Sequence, residues 1–66
     1  MKSILLNGEN HPTNSATVLN LLQELELTAR GVAVAVNGEV VRRTDHAVRV
    51  LQEGDRVEVI RAVQGG

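Results

Sequence analysis

The sequence predicts an α+β fold in which one helix covers one face of a mixed sheet of four to five strands. Three observations carry the prediction. Two Asn-Gly dipeptides, Asn7-Gly8 and Asn37-Gly38, each follow a strand-like segment, and this dipeptide tolerates the positive φ angles of a type I′ hairpin turn. A single stretch of helical period lies between them. One apolar strand remains after the second hairpin, close to the end of the 66 residues.

The elements follow in chain order. Ser3 to Leu6 is a short apolar strand, and its return partner contains Pro12. Proline cannot donate to a ladder, so that return strand belongs at a sheet edge. In "NSATVLNLLQELEL" the aliphatics Val18, Leu21, Leu22 and Leu25 fall at i, i+3, i+4 and i+7, one face of a helix. Thr17 is placed to cap it by accepting from the backbone N–H of Asn20, with Ser15 as competitor. Leu27 is expected to pack under the helix end.

In "GVAVAVNGEVV" three valines alternate with two alanines. The bulky Val32, Val34 and Val36 are assigned to the side facing the helix, and Ala33 and Ala35 to the opposite side. "RRTDHAVR", Arg42 to Arg49, has no period and reads as a loop with one helical turn. Val50 and Leu51 are expected to pin it to the core. Gly54-Asp55 is ordinary turn chemistry before the last strand, whose apolar positions are Val57, Val59 and Ile60.

Composition excludes several function classes. A chain of this length buries only about 60% of the surface that its unfolded form exposes, so there is room for one thin core. It has no cysteine, which removes disulfides, thiolate metal sites and a cysteine nucleophile. It has no aromatic residue other than histidine, and hence no base-stacking platform. Seven basic against eight acidic side chains supply no long-range field for nucleic acid or an anionic membrane. The three-residue apolar run near the N-terminus is too short for a signal peptide or a spanning helix, so the expected location is cytoplasmic. His11 and His46 lack metal-ligand spacing and are expected at the surface. Arg42, Arg43 and Arg49 read as solvated charges. No acid, base and nucleophile group together in the sequence, which argues against an enzyme.

The strand and helix order, the "ATVLNLLQEL" helix, the "VAVNGEVV" hairpin and the ending "LQEGDRVEVIRAVQGG" together resemble the ThiS family of sulfur carriers in thiamine biosynthesis, whose fold is the ubiquitin-like β-grasp. The resemblance spans essentially the whole chain. It implies that the last strand is central and parallel to the first. It also implies that the carboxylate of Gly66 is the reactive group, adenylated with ATP by an E1-like, ThiF-type enzyme. A persulfide on another protein then supplies sulfur, and the resulting thiocarboxylate serves a ThiG-type thiazole synthase. No cofactor is expected to be bound, because ATP belongs to the adenylating partner.

A carboxylate is a poor acyl electrophile, because its charge is shared over two oxygens and neither leaves readily. Activation is therefore needed before sulfur can be attached. Gly65 and Gly66 have no Cβ and suit a tail that threads a narrow channel. The expected division is a folded domain over residues 1–63 and a tail of Gln64, Gly65 and Gly66. For docking, the sheet face away from the helix should carry Leu5, Ala33, Ala35, Ile60 and Ala62. Rival readings are the small subunit of molybdopterin synthase, a ubiquitin-like modifier joined to lysines, and a non-catalytic β-grasp interaction module.

Overall fold

The computed structural model describes residues 1–28 and 30–61. Five strands and one α-helix follow in the order β1 (Lys2–Leu6), β2 (Glu9–Thr13), α1 (Val18–Glu24), β3 (Val32–Val36), β4 (Glu39–Val41) and β5 (Arg56–Arg61), with a 3₁₀ turn at Arg43–Asp45 before β5. The sheet order is β2-β1-β5-β3-β4. The last strand is therefore central, parallel to β1 and antiparallel to β3. Pro12 lies on β2, an outer strand, where its missing N–H costs no ladder bond.

Both hairpins turn as the Asn-Gly dipeptides dictate. Asn7 and Asn37 each have φ of 52°, and Gly8 and Gly38 follow at 85° and 87°, the paired positive angles of type I′. Helix α1 starts where expected, with the Thr17 hydroxyl accepting from the Asn20 amide at 3.2 Å. It stops in a Schellman arrangement: the Leu27 amide donates to the Leu22 carbonyl at 2.8 Å and the Glu26 amide to the Gln23 carbonyl at 3.0 Å. The residue that reverses the chain there is Glu26, at φ 61°. Glycine usually holds that position, because a Cβ is unfavourable in the left-handed region.

The core is the layer between α1 and the sheet. Ile4, Val18, Leu21, Leu22, Val34, Val36, Val41, Leu51 and Val57 are buried there, and Leu25, Leu27, Val32 and Val59 pack against it half-buried. The valines of β3 face the helix and Ala33 faces away, as their sizes predict.

Two expectations fail. Val50 does not pin the loop to the core; it is 56% exposed while Leu51 is buried. Residues 49–51 run antiparallel to 16–18, with the Leu51 amide on the Ala16 carbonyl and the Val18 amide on the Arg49 carbonyl. Neighbours on an extended segment point to opposite sides, so turning Leu51 inward turns Val50 outward. His46 is not a surface residue either. It is buried, and its Nε2–H donates to the Val41 carbonyl at 3.2 Å, closing the loop against β4. Its Leu19-facing carbonyl also accepts from the Leu19 amide at 2.8 Å, so both ends of this residue tie the loop down.

Candidate functional site

The strand that leads to the C-terminal residues is held along both sides. On the β1 side, the Leu5 amide donates to the Asp55 carbonyl at 2.9 Å and the Asn7 amide to the Val57 carbonyl at 2.8 Å. Pairing then continues past the end of β1 through a side chain. The Asn7 Nδ2 donates to the Val59 carbonyl at 3.2 Å, and its Oδ1 accepts from the Val59 amide at 2.9 Å. One carboxamide thus supplies the two bonds that a further strand residue would make.

Asn37 performs the matching task at the other end of β5. Its amide donates to the Arg56 carbonyl at 2.7 Å, its Oδ1 accepts from the Arg56 amide at 2.9 Å and its Nδ2 donates to Asp55 Oδ1 at 3.0 Å. The asparagines that turn the hairpins therefore also fix the strand between them. Asp55 is itself fixed by accepting from the Gln52 amide at 2.9 Å.

Register places the side chains of the open face. Ala35 is opposite Glu58 and Ala33 opposite Ile60, while Leu5 is opposite Arg56. Ile60 is 66% exposed and Leu5 38%. The two are not adjacent, because Glu58 stands between their levels on β5. A further aliphatic joins them: Val40 is opposite Ala35 on β4 and 79% exposed. The continuous apolar surface is thus Ile60, Ala33, Ala35 and Val40, with Leu5 as an outlier beside the hairpin turn. Val40 was open to inference, since a two-residue turn at Asn37-Gly38 fixes the pairing of Ala35 with Val40. Ala62, Gln64, Gly65 and Gly66, the remaining expected site residues, lie outside the described residues, as does the boundary between the domain and its tail.

Other charged groups fall elsewhere. Arg42 and Arg43 are exposed, and Arg49 approaches Glu39 at 3.9 Å. Arg30 and Arg61 line one open recess at the end of β5. Lys2 donates to the carbonyls of Ser15 at 3.0 Å and Leu51 at 2.9 Å.

A grouping of acid, base and hydroxyls does exist, contrary to the expectation from the sequence. The Glu24 carboxylate, at the end of α1, accepts from Thr13 Oγ1, from Ser15 Oγ at 2.8 Å, and bonds to His11 Nε2 at 2.8 Å. Hydrogen bonds from Thr13 and Ser15, then the His11 imidazole, hold this carboxyl below the usual carboxylate range against a smaller opposing effect of burial. The hydroxyls donate to the carboxylate and not to the imidazole, and a carboxyl held below its usual range is a weak base for the Ser15 proton. The cluster ties the helix end to β2. Among the described residues, no group of three or more His, Cys, Asp or Glu side chains could hold a metal ion. No helix there is long and apolar enough to cross a membrane.

Comparison with known proteins fits this arrangement. The ThiS family model matches residues 4–66. A sulfur carrier protein ThiS of Thermus thermophilus is 38% identical over 63 residues, covering 96% of this chain and 98% of the relative. A crystal structure of the thiamine biosynthesis protein ThiS from Geobacter metallireducens superposes with a TM-score of 0.81 at 31% identity, over 97% of this chain and 99% of that one. A thiazole synthase of Magnetococcus marinus is 42% identical over 64 residues, but the chain spans only 20% of that protein's length. With a central last strand, a single covering helix and a full-length family match, the chain belongs to the ThiS family, the sulfur carrier proteins of thiamine biosynthesis.

Proposed function

We propose that the carboxylate of Gly66 is the group on which sulfur is carried. A ThiF-type enzyme joins it to AMP at the expense of ATP, which turns a carboxylate into an acyl group with a good leaving group. The outer sulfur of a persulfide-bearing donor then attacks the Gly66 carbonyl carbon as AMP departs, giving an acyl disulfide. A thiol cleaves its S–S bond, leaving the donor sulfur in a disulfide and the outer sulfur on Gly66 as a thiocarboxylate, which passes to a ThiG-type thiazole synthase. The chain acts as a co-substrate in each step. The observation that carries this reading is the family match running through residue 66, so that Gly65-Gly66 is part of the matched pattern and follows a clamped central strand.

Partner docking is assigned to the open sheet face. Its apolar strip of Ile60, Ala33, Ala35 and Val40 borders the end of β5, with Leu5 and Ala62 as the further members expected from sequence. A flat strip that leads to the tail lets one surface guide Gly66 into successive active sites. The occurrence of a similar segment within a protein named thiazole synthase supports that enzyme class as one of the partners.

Intact-protein mass spectrometry tests the chemistry. After incubation with the adenylating enzyme, ATP, a persulfide donor and a thiol reductant, the chain should exchange one oxygen for sulfur, mapping to Gly66. A chain that stays unmodified while removal of Gly65 and Gly66 changes nothing in sulfur transfer would refute the assignment.

A further inference from the structure

The basic side chains of this protein are unevenly chosen. Six are arginines and one, Lys2, is a lysine. The difference matters for a chain whose own end becomes an activated acyl group, a premise taken from the function proposed above. An amine that reaches such a carbonyl forms an amide, and the carrier is lost. Guanidinium stays protonated and does not compete as a nucleophile.

Lys2 is also badly placed to attack. Leu5 is opposite Arg56 on the parallel neighbour strand, so Lys2 lies three positions below that level and Arg61 five above it. At about 3.3 Å per residue the two are about 26 Å apart along the sheet. Five residues, 62–66, could span at most about 18 Å even if fully extended. The ammonium is moreover tied to the Ser15 and Leu51 carbonyls, at 3.0 and 2.9 Å. Any amine at Met1 is further still.

Thiols and imidazoles are removed in different ways. There is no cysteine. His46 is buried and His11 is engaged with Glu24. Arg30 and Arg61 share the recess at the end of β5, the last described strand before residues 62–66, and neither is a lysine.

We propose that the chain is built as an acyl donor that cannot accept its own acyl group: arginine stands where the tail can reach, and the single lysine is held at the far end of the sheet. The excluded reaction is ordinary aminolysis. The amine nitrogen attacks the Gly66 carbonyl carbon, a C–N bond forms, the bond to AMP or to a thiol breaks with its electron pair on the leaving group, and the amine proton goes to solvent. With that route closed, a sulfur nucleophile of a partner meets no internal amine or thiol as competitor.

The test uses the full chain with an alkyl thioester at Gly66 in place of the carboxylate, in the natural sequence and in Arg61→Lys, Arg30→Lys and Lys2→Arg. Intact mass distinguishes hydrolysis from lactam formation, because the lactam is lighter by one water. The natural sequence and Lys2→Arg should hydrolyse at equal rates without lactam, whereas Arg61→Lys and Arg30→Lys should form lactam at least ten-fold faster than the natural sequence. A Lys2-linked lactam in the natural sequence at a rate comparable to Arg61→Lys overturns the proposal. So does the absence of lactam in both lysine variants. Pyrophosphate release from the same four proteins, with carboxylate ends, adenylating enzyme and ATP, tests the premise separately. If release fails while the thioesters behave as expected, the activation of Gly66 is overturned and the exclusion of amines is upheld.

Discussion

The two faces of the sheet use the same kinds of residue to opposite ends. On the helix side Ile4, Val34, Val36 and Val57 are no more than 1% exposed, whereas on the other side Val40 and Ile60 are 79% and 66% exposed. Alternation along β5 puts Val57 in the core and Ile60 in solvent within one short strand. The lesson is that an apolar residue's role here is set by parity of position. The covered face supplies stability, and the open face leaves its aliphatics in solvent, where the proposed docking would use them.

Substitutions separate the two roles. The largest effect is expected under the helix: Leu22→Ala removes a side chain that is 1% exposed and should lower unfolding free energy by about 3 kcal/mol in denaturant titration. Next comes the clamp on β5. Asn7→Gly keeps the left-handed turn and deletes both side-chain bonds to Val59, for a loss of about 2 kcal/mol. In the opposite direction, Glu26→Gly relieves the positive φ at the end of α1 and should raise stability by about 1 kcal/mol. Smallest in stability is Ile60→Asp, expected within about 0.5 kcal/mol of the natural chain. Its predicted consequence is weaker binding to the adenylating enzyme, measured by titration calorimetry on the folded variant. Equal losses of stability for Leu22→Ala and Ile60→Asp would erase the distinction between the faces.

The Glu24 cluster gives the covered side a pH signature. Its carboxyl is held below the usual range in the folded chain, so the native state favours the charged form more than the unfolded state does. That contribution is fully present above the unfolded value and is lost as pH falls through the folded one. Glu24→Gln should therefore flatten the acid limb of a stability profile, recorded by thermal unfolding between neutral and acidic pH.

Much of this was legible in the sequence because it depended on local rules. The Thr17 cap, the two hairpin turns and the division of valines from alanines each follow from a few neighbouring residues. The reading failed where the outcome depended on distant partners. His46 sits in a polar stretch that looks solvated, and only the return of the loop against β4 buries it. The clamps of Asn7 and Asn37 exist because β5 arrives between them, which turn chemistry does not encode. The union of His11, Thr13 and Ser15 around Glu24 likewise requires β2 to lie beneath the helix end. Residues 64–66 lie outside the described residues, and the role given to them rests on family resemblance, since two glycines carry no pattern of their own.

The position of β5 has a consequence for the order of folding. Before it is in place, β1–β2 and β3–β4 are two hairpins with no sheet bonds to each other, for both bond to it. Isolated hairpins of this size are marginal in water, and pairing that joins distant segments is slow to close. The domain is therefore completed only when β5, the last of the described strands in chain order, joins the two hairpins. A chain in which β5 is not yet paired has no continuous sheet face, so folding itself acts as a checkpoint on which molecules present that face to a partner.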